Sequence, residues 1–200
     1  MHSFPHSIMK KTLYLGLDPS RYPIEVTHYP IIEIRELANL QPYFDQLQNY
    51  DHVIFTSRSA ILIYTKYAQI KRPVIAVGRA TAALARQMGL FVSHTARLEQ
   101  AEGVLEIIKE LKSSFFFPHS AQARPLLQDY LKNERALVFP AYDTVTTSKK
   151  IDIKPYDAFV FTSPSTVKAF VELYGALPKK ELIAMGPITQ RALDVYSRYD

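Results

Sequence analysis

Along most of the chain, short apolar runs alternate with stretches whose apolar positions recur at helical spacing. The runs sit near residues 52–56, 73–77, 91–94, 114–117 and 135–139, and each has the length and composition of a strand buried on both faces. Between them, residues 58–69, 80–88, 100–112 and 121–132 predict helices. Val104, Leu105, Ile108 and Leu111 mark one such face, and Gly89 stands where a helix-ending C′ residue belongs. This alternation implies an α/β fold with a parallel sheet flanked by helices, in which ligands sit beyond the carboxyl ends of the strands.

The flanking sequence is less regular. Residues 12–17 predict a strand, but the Pro-interrupted stretch 18–23 after it is too short for a crossover helix. Residues 24–28 and 31–34 run extended around Pro30, and Leu37, Leu40, Tyr43, Phe44 and Leu47 predict an amphipathic helix with Pro42 near its start. Residues 141–147 are extended again and able to pair with 31–34 as a two-stranded connector. A strand ending at Phe161, a helix over 164–174, a strand over 181–185 and a helix over 188–198 complete the pattern. It predicts a discontinuous first domain (1–31 plus 147–200), a second domain (36–140) and connector strands at 32–35 and 141–146. Residues 1–8 read as an extension or an upstream start. Tyr142, in the connector, is by default a packing residue and is predicted to face the gap at the hinge.

One stretch occurs twice. Residues 50–59 and 156–165 share the pattern Tyr-Asp-x-x-x-Phe-Thr-Ser-x-Ser, with Thr56, Ser57 and Ser59 answered by Thr162, Ser163 and Ser165. A second pair follows each copy, Gly78-x-x-Thr81 and Gly186-x-x-Thr189, so the chain holds two related halves. Each of these four turns joins a strand end to a helix start. Orphan N–H groups and the positive end of the helix dipole there attract anions, and glycine lets the backbone approach a ligand. The plain alternative is that these serines and threonines are only helix caps. Residues 118–131 repeat the device, with Ser120 as the expected N-cap and Arg124 one turn into the helix.

Composition narrows the chemistry. The 200 residues are 48% apolar, enough for one generous core or two small ones, and the repeat favours two. A net charge of +5 suits acidic small molecules, and no basic block with interleaved aromatics points to nucleic acid. The absence of cysteine excludes thiolate chemistry and fits a reducing compartment. No run reaches the roughly 18 apolar residues of a membrane span, and no signal-peptide core stands at the start, so a cytoplasmic protein is expected. The six histidines form no i, i+4 pair, and dinucleotide, P-loop and nucleophile-elbow motifs are missing.

The ordered set of motifs resembles the uroporphyrinogen-III synthase family. The likeness runs over roughly residues 12–193. It comprises Phe-Thr-Ser-x-x-Ala at 55–60, Val-Gly-x-x-Thr at 77–81, the strand-to-helix turn at 117–127, Tyr-x-Thr at 142–144, Phe-Thr-Ser-Pro-Ser at 161–165 and Gly-Pro-x-Thr at 186–189. The resemblance implies an enzyme that closes hydroxymethylbilane into uroporphyrinogen III with inversion of the last ring. It also implies two α/β domains of flavodoxin-like type joined by a two-stranded connector, with the substrate in the cleft and no metal or cofactor. Tyr142 matches the family's candidate acid, and Thr81, Ser165 and Thr189 match hydroxyl residues lining the cleft. Thr56, Ser57, Ser59, Gly78, Ser120, Arg124, Thr162, Ser163 and Gly186 complete the expected substrate-binding set. The family's helix after the first strand, and its strand and helix beyond Gly-Pro-x-Thr, have no match here, which implies a trimmed first domain. A monomer is expected, without membrane or nucleic-acid partners. Alternatives from other classes are a non-catalytic binding module for a tetrapyrrole or other polycarboxylate, and a flavin carrier.

Overall fold

A computed structural model describes residues 10–198; the stretch 1–8 lies outside them. The described residues divide into two compact units, one running up to Glu33 and resuming at Thr144, the other spanning Ile34–Asp143. In chain order the elements are β1 (Thr12–Tyr14), β2 (Thr27–His28), β3 (Ile32–Glu36), α1 (Gln41–Phe44), β4 (His52–Phe55), α2 (Arg58–Tyr67), β5 (Val74–Ala76), α3 (Arg79–Gln87), β6 (Val92–Thr95), α4 (Ala101–Glu110), β7 (Phe115–Ser120), α5 (Leu126–Leu131), β8 (Ala136–Thr146), β9 (Ala158–Phe161), α6 (Pro164–Tyr174), β10 (Glu181–Ala184) and α7 (Pro187–Tyr196). Parallel sheets with flanking helices are what the alternating pattern predicts.

Ile34–Asp143 is built on the run β8-β7-β4-β5-β6, with β3 beyond β8. Its central strands β4, β5 and β7 are buried on both faces. Val53, Phe55, Val74, Ala76 and Phe116 point into one apolar cluster with α2 and α3, while Ile54, Ile75, Phe115 and Phe117 point into another with α4 and α5. The other unit has the sheet order β10-β9-β1-β2 and a core of Leu13, Leu15, Phe159, Phe161, Val167, Phe170 and Leu193. Only a short 3-10 turn, Pro19–Arg21, stands between β1 and β2, where the sequence offers no room for a helix.

The four strands of the smaller sheet correspond to four consecutive strands of the larger one. The repeat equates β4 with β9 and β5 with β10, and the observed neighbours then equate β7 with β1 and β8 with β2. The duplicated aspartate confirms this. Asp51 Oδ2 accepts from Ser114 N (2.8 Å) and Ser114 Oγ (2.7 Å) just before β7, and Asp157 Oδ2 accepts from Lys11 N (2.9 Å) just before β1. In each half the aspartate ties the start of its own strand to the start of the neighbour. The Tyr-Asp part of the repeat is thus architecture rather than chemistry.

Local sequence explains most of the ends. After α3, Gly89 takes φ 72, its N–H bonds Arg86 O, and Leu90 N bonds Ala85 O, a Schellman closure. Three expectations need correction. The helix expected from Leu37 to Leu47 is only α1 plus a 3-10 turn at Leu47–Asn49, because Pro42 fixes the start and Leu37 is held in extended pairing by Ala141 O (3.0 Å). The helix expected over 121–132 begins at Leu126, because Pro125 bars the residue before it from helical geometry. The strand at 135–139 and the extended stretch after it are one strand, β8, eleven residues long.

Candidate functional site

The helices that follow β4 and β7 pack on opposite faces of the same sheet, α2 with Phe55 and Phe116, α5 with Ile54 and Phe117. Neighbouring β4 and β7 therefore bracket a topological switch point, where the two outgoing loops diverge and where open α/β sheets place their ligands. Thr56, Ser57 and Ser59 follow β4, Ser120 ends β7, and all four are half-buried.

Tyr142 reaches this point through an irregularity in β8. Leu137, Phe139 and Ala141 face the cluster with Phe116, whereas Ala136 and Val138 face the opposite one. Strict alternation would send Tyr142 with Ala136 and Val138. Instead the register slips: His119 lies opposite Pro140 but Ser120 lies opposite Tyr142, so β8 carries one extra residue. Tyr142 is thereby turned to the Ala141 side, 4% exposed, with its hydroxyl 2.6 Å from Ser57 Oγ. Burial pushes the phenol pKa up, and hydrogen bonds from Ser57 and Ser120 pull against that rise. Ser57 Oγ also accepts from Ala60 N (3.1 Å) as the N-cap of α2. The result is a protonated phenol, sheltered from water, flanked by two hydroxyls that can stabilise its anion.

The neighbouring anchors hold internal carboxylates. Glu99 Oε1 accepts from Arg79 N and Arg79 Nε, both at 3.1 Å, at the first turn of α3. Gly78 lets the Glu99 side chain lie close over this turn, since an added Cβ would meet Glu99 Cγ at 2.8 Å and push it aside. Thr81 sits in the same first turn and is buried. Arg124 is an exposed loop residue ahead of α5 rather than a helix residue, and its guanidinium grips Glu102 in a fork of 2.8 and 2.9 Å. That pairing holds the Glu102 carboxyl down at about 2. Ser120 is likewise the last residue of β7, not a helix cap; its Oγ accepts from Gln122 N (3.2 Å). Glu99 and Glu102 escaped sequence reasoning. Their position at the carboxyl end of β6 and the start of α4, beside the predicted anion turns, was the available signal.

In the other unit, Ser163 caps α6 by accepting from Thr166 N (3.3 Å), and Thr166 Oγ1 accepts in return from Ser163 N (3.2 Å) and also from Thr162 N (3.1 Å). Thr166 therefore satisfies donors that the sequence left free for a ligand. Ser165 is half-buried in that first turn. Gly186 caps α7, where an added Cβ would meet nothing within 4 Å, and Thr189 is buried in the first turn, at the position Thr81 holds in α3.

A duplicated α/β protein with its polar groups gathered at strand ends and helix starts is the class that these features define. The family model of uroporphyrinogen-III synthase HemD matches residues 20–197. Among solved structures, a mutant uroporphyrinogen III synthase from the extremely thermophilic bacterium Thermus thermophilus aligns with TM-score 0.62 at 16% identity, covering 94% of this chain and 89% of that one. The uroporphyrinogen-III synthetase of Helicobacter pylori aligns with TM-score 0.66 at 17% identity, covering 94% and 90%. No curated protein matches in sequence. The chain belongs to the uroporphyrinogen-III synthase HemD family. Its activity is accordingly that of a cyclising lyase of tetrapyrrole and heme biosynthesis, acting on hydroxymethylbilane. No helix among the described residues is long and apolar enough to cross a membrane.

Proposed function

We propose that this chain closes hydroxymethylbilane to uroporphyrinogen III with Tyr142 as the acid that assists departure of the terminal hydroxyl. The observation that carries this assignment is the phenol of Tyr142, buried at the switch point with Ser57 Oγ 2.6 Å away. As the carbon–oxygen bond breaks, the oxygen leaves as water with the phenol's proton. The last pyrrole ring then attacks the methylene so freed through the carbon that already carries its bridge, giving a spiro intermediate. The older bridge bond breaks and re-forms at the ring's free α-carbon, whose proton is lost on closure and restores the phenol. Full proton transfer from a phenol of pKa about 10 costs about 4 kcal/mol at pH 7, and burial adds to it. The proton therefore moves in concert with bond cleavage, and the hydroxyls of Ser57 and Ser120 offset part of the charge left on oxygen.

Carboxylates of the substrate are held in this proposal by the turns of Thr56, Ser57 and Ser59, of Gly78 and Thr81, and of Ser120 and Arg124. The counterpart turns of Thr162, Ser163 and Ser165, and of Gly186 and Thr189, do the same in their own unit. Each exposed helix start contributes about 0.3–1 kcal/mol, so several must act together. We read the two compact units as flavodoxin-like domains, with β3 and β8 as the connector. In the discontinuous unit β2-β1-β9-β10 follows the flavodoxin-like 2-1-3-4 order. The continuous unit runs 3-2-1-4-5 along its chain and matches it through the equivalence of β8-β7-β4-β5 with β2-β1-β9-β10, a circular permutation of the same sheet. The deciding experiment is Tyr142→Phe incubated with freshly made hydroxymethylbilane. Turnover to the type III isomer falls about 100-fold or more, KM stays near its value, and the spontaneous type I isomer accumulates. Type III turnover that survives unchanged removes Tyr142 from the role.

A further inference from the structure

The slip that turns Tyr142 toward Ser57 is braced from the adjacent strand by a residue on the opposite face of the sheet. His119 Nδ1 lies 2.8 Å from Ser120 O, the carbonyl at the register shift. A carbonyl only accepts, so Nδ1 carries the hydrogen and the ring is the Nδ1–H tautomer. The ring is 8% exposed and rests against Phe117 at 5.2 Å, a contact that fixes its orientation. Burial lowers its pKa, which keeps the ring in this single-proton form at neutral pH. One step further along, Ala121 N donates to Tyr142 O at 2.8 Å, so the strand pairing resumes on the far side of the slip.

Irregularities of this kind take ladder groups away from their regular partners, and they persist where other donors replace them. Ser120 O accepts from Ala123 N (3.0 Å) within the following turn, and His119 Nδ1–H is the second donor, the one supplied by a side chain. We propose that His119 is a positioning residue for Tyr142: its Nδ1–H bond to Ser120 O fixes the one-residue slip between β7 and β8 that keeps the phenol on Ser57 and Ser120. Without that bond β8 relaxes toward regular alternation, which carries the phenol toward the other face. The consequence for turnover rests on Tyr142 being the acid; the consequence for the phenol's place does not.

The test compares His119→Asn with His119→Gln in the full chain. An asparagine amide nitrogen falls where Nδ1 stood and can donate to Ser120 O, whereas a glutamine places its amide nearer the Nε2 position. Tyr142 ionisation is read as the phenolate absorbance of each protein minus that of its Tyr142→Phe version. The expected result is that His119→Gln moves the Tyr142 titration down toward a solvent-exposed phenol and lowers kcat about 10- to 100-fold at little-changed KM, while His119→Asn restores both. In the double variant, Tyr142→Phe with His119→Gln loses no more turnover than Tyr142→Phe alone. An unchanged Tyr142 titration in His119→Gln, or equal titrations in the two variants, overturns the proposal. If Tyr142→Phe alone leaves turnover intact, the acid assignment fails, yet the titration still decides whether His119 places the phenol.

Discussion

Ser57 serves two partners at once, the first turn of α2 through Ala60 N and the phenol of Tyr142. Its counterpart Ser163 serves only a helix, within a capping box shared with Thr166. Ser57→Ala and Ser163→Ala should therefore each cost about 1 kcal/mol in urea unfolding, but only Ser57→Ala should raise the Tyr142 titration and lower kcat, whereas Ser163→Ala, in a proposed binding turn, should act on KM alone. Equal kcat values in the two variants would show that Ser57 is merely a cap. Asp51 gives a second residue-scale prediction. The Ser114 hydroxyl and then the Ser114 backbone N–H hold its carboxyl below the usual aspartate range. Because the folded pKa is lowered, this contribution to stability is present above the unfolded value of about 3.9 and is lost as pH falls through the folded one. Asp51→Asn should flatten the acid limb of stability below about pH 4 and leave the neutral-to-basic limb parallel to the parent, checked by urea midpoints across pH. The raised phenol of Tyr142 works in the opposite sense: its contribution is complete below about pH 10 and disappears as pH rises through the folded value.

At the scale of elements, β7 carries the largest apolar load, with Phe115, Phe116 and Phe117 all within 1% exposure and divided between the two faces. Phe116→Ala should cost about 3–5 kcal/mol by its lost burial and the cavity left behind, measured by urea unfolding. A loss under about 1 kcal/mol would mean that the cluster around Phe44, Tyr50 and Phe139 closes over the gap. Strands such as β4, β5 and β9 were legible because their apolar runs are short and bounded by turn residues, and the helix starts were legible because Ser57, Ser163, Gly78 and Gly186 recur in register. The late start of α5 was also written in the chain, at Pro125. The slip in β8 was not. Residues 136–146 read as one extended segment, and nothing in their alternation marks Ala141 as the extra residue; that choice depends on β7, whose pairing with β8 is a tertiary fact. Hence the sequence put Tyr142 in an extended segment but could not say which face of the sheet it meets.

For the molecule as a whole, a net charge of +5 is a small field for a substrate bearing many carboxylates. The two arginines beside the predicted anion turns are, moreover, already engaged: Arg79 by Glu99, and Arg124 by Glu102. These arginine side chains are 93% and 63% exposed, and pairs of such exposure are worth about 0–1 kcal/mol. In the proposed binding set, a substrate carboxylate arriving at Gly78 or Arg124 would thus compete with a weakly held internal one. Glu102→Gln should release Arg124, lower KM for hydroxymethylbilane about two- to fivefold at low salt, and leave kcat near its value. The gain comes from an exposed full charge, so it should shrink as ionic strength rises and the screening length falls below about 10 Å. The same variant should titrate benzenehexacarboxylate more tightly at low salt than the parent chain does. A KM that rises instead would mean that the Arg124–Glu102 fork holds the end of β7 and the start of α4 in their working shape, and that substrate carboxylates are met by backbone N–H groups and hydroxyls without it.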